Sequence, residues 1–206
     1  MIRGTQICML FCLLLVLIAA PACVGQGYTP QPFSADLALT TANGDKITGK
    51  YYLSLPSMRM DMTAKGHNVS SIMDGTTTYV VMHDQHIYME MPANRPNPIM
   101  GQAPKIATNY DPNNPCASQL GVTCKKLGTE TVNGRVCDKW QNTSEKGTST
   151  MWMDQKLHFP IKSISSDGTD LEFTNVKEGK PDASLFQPPA GYRKMDLGGL
   201  GGRPPQ

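Results

Sequence analysis

Apolar and polar side chains alternate along most of this chain, and short turn-forming clusters interrupt the alternation. Phe33-Ser34-Ala35-Asp36-Leu37-Ala38-Leu39 sets the pattern and ends in Ala42-Asn43-Gly44-Asp45, a hairpin-turn sequence. Lys46 to Leu55 follows with Ile47, Tyr51, Leu53 and Leu55 in one phase, and Pro56-Ser57 turns the chain into Met58-Arg59-Met60-Asp61-Met62. Lys65-Gly66-His67-Asn68, Asp74-Gly75 and His83-Asp84-Gln85 then punctuate the runs Val69–Met73, Thr77–Met82 and Ile87–Met91. These segments predict strands at the short spacing of an antiparallel meander, and none shows a helical period of useful length.

From Pro92 to Ser118 the character changes. Six prolines and several asparagines predict a long irregular connection, with a helical turn near Lys105–Thr108. Loops of this length inside compact domains are functional lids or poorly ordered segments. The meander resumes with Lys125–Thr131, the Asn133-Gly134 turn, Arg135–Gln141, Gly147–Asp154, Phe159–Ser166, the Asp167-Gly168 turn and Asp170–Val176. Pro181 to Phe186 reads as a short capped turn, and Pro188 to Tyr192 as an extended closure. The expected fold is all-β, an open or partly closed antiparallel sheet of about eleven strands with little helix.

Three stretches place methionine at every second position: Met58, Met60 and Met62; Met89 and Met91; Met151 and Met153. Successive side chains of a strand point to opposite faces, so each stretch shows its thioethers on one face. Methionine is flexible and polarisable and suits an apolar surface that adapts to different shapes. One reading is a groove for a lipid or other apolar ligand. Another is a Cu(I)-handling site built from thioethers with His83 and His86, since soft sulfur suits that ion. A third is ordinary core packing beneath a structural or interaction domain, each buried side chain contributing on the order of 1.5–3 kcal/mol with no ligand present. No metal ligand set is assigned and no cofactor is expected. His83 and His86 sit in a turn, where solvated imidazoles are the expectation, and the sequence alone names no partner for His67 or His158.

The ends change the picture of where the domain works. Arg3 precedes an apolar run, Ile7 to Ala20, followed by Ala20-Pro21-Ala22. That run falls short of the roughly 20 residues needed to cross a bilayer and has the layout of a cleaved secretory signal. The expected organisation is a signal peptide at 1–22, a linker at 23–32, one β domain at 33–195 and a disordered Gly/Pro tail at 196–206. Secretion or a periplasmic location follows. Cys23 stands where a bacterial lipoprotein carries its lipid, which would tether the protein to a membrane surface.

Removing Arg3 with the signal leaves 18 of the 19 basic residues against 17 acidic ones, a net charge of +1. That balance, with few aromatic residues, argues against a nucleic-acid partner. In an oxidising compartment Cys116, Cys124 and Cys137 predict one disulfide, Cys116–Cys124 being favoured and Cys124–Cys137 the alternative, unless Cys23 also pairs. No nucleophile elbow, phosphate-cradling loop or HExxH motif is present, so no enzymatic activity is expected. A thiol site from Cys137, Asp138 and His158 is conceivable only on paper, and oligomeric state is not encoded in any recognisable pattern.

Larger motifs carry a family resemblance. Tyr51 to Met62 (YYLSLPSMRMDM), Ile72-Met73-Asp74-Gly75 and Ile87-Tyr88-Met89-Glu90-Met91 resemble exported bacterial domains of unknown function similar in pattern to the lipoprotein-localisation-factor (LolA/LolB-like) superfamily. Leu127 to Arg135, Lys139-Trp140, Trp152-Met153-Asp154, Phe159 to Lys162 and Leu185 to Tyr192 extend the resemblance over residues 33 to 195. It implies a strongly curved antiparallel half-barrel whose concave face, covered by loops or short helices, holds acyl chains. The chain departs from that pattern in lacking lid helices and in having the Pro-rich segment 92–118.

Overall fold

The computed structural model describes residues 28–64, 66–95, 111, 113–117 and 119–195. The signal segment, Cys23 with the first half of the linker, the turn expected near Lys105–Thr108 and the 196–206 tail lie outside the described residues.

The strands are β1 (Phe33–Thr40), β2 (Lys46–Ser54), β3 (Ser57–Ala64), β4 (His67–Met73), β5 (Thr77–Met82), β6 (Ile87–Pro92), β7 (Thr123–Val132), β8 (Arg135–Ser144), β9 (Gly147–Asp154), β10 (Phe159–Ser165), β11 (Asp170–Glu178) and β12 (Arg193–Met195). Two 3-10 turns, His83–Gln85 and Ala183–Phe186, are the helical elements among the described residues. All twelve strands form one sheet in the order β12-β6-β5-β4-β3-β2-β1-β11-β10-β9-β8-β7. The sheet is curved and does not close, as a half-barrel requires. Each half of the chain makes a meander, and the two meet where β1 pairs with β11. The expected count of about eleven lacked β12, which runs parallel to β6 with Arg193 opposite Ile87 and Met195 opposite Met89. Three residues are too few to show a two-residue period, so this strand left no trace in the sequence pattern.

Local chemistry explains the turns. Asn133 and Gly134 both take positive φ, 51° and 76°, the backbone that joins two right-twisted strands with least splay. Irregular register between Ser34 and Asp36, between Lys126 and Gly128 and between Pro160 and Lys162 marks bulges, which bend strands and increase local twist. The main core groups Phe33, Tyr51, Phe159 and Phe173, with ring centroids 5.0–6.3 Å apart, around Leu37, Leu53 and Ile161. Rings at these separations add edge-to-face attraction to their burial. On the other side of β4 and β5, Ile72 and Val81 pack with Phe186 from the C-terminal segment.

Cys116 and Cys124 form a disulfide that closes a short loop at the start of β7. The Cys124–Cys137 alternative is not formed, and register shows why. Cys124 lies opposite Asn142, five residues along β8 from Cys137. At ~3.4 Å per residue that is about 17 Å, far beyond disulfide reach. Cys137 is fully buried, and burial pushes its thiol up to about 12. It is an inert core side chain, and its chain neighbour Asp138 points to the opposite face of β8, so the paper thiol site does not assemble.

Candidate functional site

Strand register brings the first two methionine stretches onto one face and adds two methionines that the sequence reading did not single out. Met58 lies opposite Met73, which aligns with Thr78 and then Met91. Met60 leads through Ser71 and Val80 to Met89, and Met62 leads through Val69 to Met82 and Ile87. The face of β3 to β6 therefore carries Met58, Met60, Met62, Met73, Met82, Met89 and Met91 in three cross-strand rows. Met73 and Met82 each end an alternating run, but only the pairing of neighbouring strands puts them in phase with β3.

The seven do not share one environment. Met58, Met62 and Met91 are buried, whereas Met60, Met73, Met82 and Met89 are half-buried. Met60 and Met73 also pack against the main core cluster. The Tyr51 hydroxyl donates to the Met58 sulfur at 3.7 Å, satisfying a phenol that is otherwise enclosed in apolar surroundings. Burial accordingly raises the Tyr51 pKa above its ordinary value. Met151 and Met153 stand apart. They lie on β9, separated from β3 by four strands in the sheet order, opposite Trp140 and Asp138 of β8.

On the opposite face of β3 to β5, a polar cluster lies beside the Ile72–Val81–Phe186 contact where the C-terminal segment crosses. Asp61 accepts from Arg59 Nε at 2.6 Å and from Ser70 Oγ at 2.5 Å. Ser70 has one proton and gives it to that carboxylate, so the His83 Nε2–H donates to Ser70 Oγ at 2.6 Å. His83 Nδ1 is then bare and accepts from the Tyr192 hydroxyl at 3.0 Å. Arg59 Nη1 completes the clasp by donating to the Leu185 carbonyl at 2.9 Å. His83 is thus not a solvated turn residue; both its nitrogens are engaged, and it lies across the sheet from Met58, Met60 and Met62. A copper site combining those methionines with His83 is not assembled. His86 is exposed, with its ring 5.1 Å from Tyr192, and His67 faces Asp84 at 3.1 Å.

Burial lowers the His83 pKa below its ordinary value of 6.5; Asp61 opposes the shift and Arg59 reinforces it. A histidine that binds its proton more weakly when folded lends stability that is fully present above pH 6.5 and lost as pH falls through the folded value. The urea midpoint is expected to drop between pH 7 and pH 5, and His83→Gln to remove part of that drop. An identical pH profile in the variant would show that His83 plays no part in it.

No curated protein matches the sequence. An uncharacterised conserved protein from Thermus thermophilus superposes with a TM-score of 0.55 at 11% identity, over 81% of this chain and 90% of the other. MucB in the Pseudomonas aeruginosa MucA/MucB complex superposes with a TM-score of 0.51 at 19% identity, over 77% of this chain and 56% of the other. A LolA superfamily protein, NE2245 from Nitrosomonas europaea, also aligns, at a TM-score of 0.38 and 12% identity over 78% of this chain and 92% of that one. At these identities the first two establish a shared fold. The sequence match is more direct: residues 34–158 fit the Domain of unknown function (DUF4412), and the chain belongs to that family.

Proposed function

We propose that this DUF4412 chain is an exported, non-enzymatic domain of the cell envelope that binds a lipid or other apolar molecule on the methionine face of β3 to β6. The observation that carries the reading is the set of three in-register methionine rows, four of whose side chains remain half-buried. A packed core has no need of so many flexible side chains, which specify a unique arrangement poorly. Export rests on the signal-like segment at 1–22, and attachment to a membrane surface depends on lipidation of Cys23. Met151 and Met153 are a second apolar patch beside Trp140, outside the proposed ligand face.

Uptake of a fluorescent fatty acid by the purified protein tests this. Met82 and Met89 are the informative positions, because they are half-buried and outside the two core clusters. Losing two thioether contacts removes enough apolar burial to weaken uptake by about tenfold or more in the Met82→Gln/Met89→Gln variant. Absence of uptake by the unaltered protein, together with no co-purifying lipid by mass spectrometry, rejects the reading. In that case a protein partner, of the kind MucA is to MucB, becomes the better account of the fold.

A further inference from the structure

A cleft away from the methionine rows has the composition of a cation site. It has a volume of ≈ 230 Å³ and is lined by Tyr28, Asp138, Trp140, Met153, Asp154, Gln155 and His158. The Tyr28 and His158 rings meet at 4.1 Å, and Trp140 is 5% exposed. Register supplies the remaining wall: Asp138 lies opposite Met153, and Trp140 lies opposite Met151 on β9 and Lys126 on β7.

The two carboxylates are not equivalent. Asp154 is committed to Arg135 and to the backbone amides of Lys156 and Leu157, so its charge is already answered. Asp138 accepts from Thr129 at 3.1 Å and from Gln155 at 2.9 Å, neutral donors that position the group without neutralising it. Its counter-charge is Lys126, with Nζ 2.8 Å from Asp138 and 5.8 Å from the Trp140 ring centroid. The chain's own ammonium therefore already reads this carboxylate and indole as a cation site. Lys126 is 46% exposed on the edge strand β7 and does not line the cleft, so it can leave without disturbing the core.

We infer that the Tyr28–Asp138–Trp140–Met153 cleft binds a quaternary ammonium group. An aromatic wall with one carboxylate favours such a cation over a primary ammonium, because the methylated group is weakly hydrated and loses little on entering, whereas the lysine ammonium is strongly hydrated. The shared chemistry is the choline head, free in solution or carried on phosphatidylcholine.

Titration with choline, followed by the indole N–H signal of Trp140 in two-dimensional NMR, tests the assignment, with 3,3-dimethylbutan-1-ol as the uncharged isostere. Choline is expected to shift the signal saturably and the alcohol to leave it in place. Tyr28→Ala should weaken binding about threefold by removing one aromatic contact. Asp138→Asn should weaken it about fivefold. Lys126→Ala should strengthen it by freeing Asp138. Retention on phosphatidylcholine vesicles, competed by choline and absent on phosphatidylglycerol, assigns the lipid head; choline binding without vesicle retention assigns a free solute. No choline shift, an equal shift with the alcohol, or undiminished affinity in a folded Asp138→Asn protein overturns the inference.

Discussion

Replacing Gly49 with alanine is expected to lower the unfolding free energy by about 3 kcal/mol, the upper part of the range for forcing extra atoms into a packed site. A Cβ at this position would sit 1.8 Å from the Asp61 carbonyl oxygen, 2.9 Å from its carbonyl carbon and 3.2 Å from the Met62 Cα. These are backbone atoms of β3, so no rotamer change relieves the clash; β2 and β3 must separate. Glycine inside a strand marks a place where another backbone approaches closely, and here it lies opposite both Leu37 and Met62. For a domain of this size a loss of ~3 kcal/mol lowers the melting temperature by roughly 6–12 °C. Gly44 is the control: its φ is 84° but nothing lies within 4 Å, so Gly44→Ala carries only the left-handed backbone cost of about 1–2 kcal/mol. If Gly49→Ala melts no lower than Gly44→Ala, the close approach is not what shapes the β2–β3 pair. Because β3 carries Met58, Met60 and Met62, the same displacement should reduce uptake of an apolar ligand.

The features that sequence disclosed are those set by a few neighbouring residues. Alternation from Phe33 to Leu39 fixed a strand with Phe33, Ala35 and Leu37 inward, and all three are buried. Asn133-Gly134 specified a hairpin because few other pairs accept two successive left-handed residues, while at Asn43-Gly44 only the glycine takes positive φ, in the turn that Thr41 and Asp45 close. The capped turn expected at Pro181–Phe186 is there, with Asp182 accepting from the Ser184 amide at 2.8 Å. What stayed hidden depends on which strands become neighbours. Nothing near Leu37 announces Phe173 as its partner, and without the β3–β4–β5–β6 register Met73 and Met82 are unremarkable strand ends. The Arg59–Asp61–Ser70–His83–Tyr192 chain is hidden for the same reason, since His83 and Tyr192 are 109 residues apart. His83 read as a solvated turn residue because its turn is polar; the C-terminal segment folding over it is a tertiary event. Cys137 was equally ambiguous until register placed it far from Cys124.

Asp154→Ala is expected to be the most damaging single change in the described structure, at about 3–5 kcal/mol, the cost of breaking a buried charge pair by removing one partner. Asp154 is 1% exposed at the end of β9 and answers four donors: Arg135 Nε, Arg135 Nη2 at 3.2 Å, and the backbone amides of Lys156 at 2.8 Å and Leu157 at 2.7 Å. The two amides belong to the turn that delivers the chain into β10, so the carboxylate orders that turn as well as pairing the guanidinium. Truncation strands both N–H groups and leaves the 17% exposed Arg135 with Glu178, at 3.0 Å, as its remaining ion-pair partner among the described residues. Asp154→Asn keeps an acceptor oxygen for the turn but not the charge, and should fall between the alanine variant and the parent. The exposed Lys50–Asp36 pair is the comparison, because solvent already competes for both of its charges and its removal should change stability little. Urea unfolding of the three variants separates the two kinds of ion pair. A loss in Asp154→Ala no larger than in Asp36→Ala would mean that Glu178 and solvent take over the guanidinium, and that the buried carboxylate orders a turn without holding the sheet.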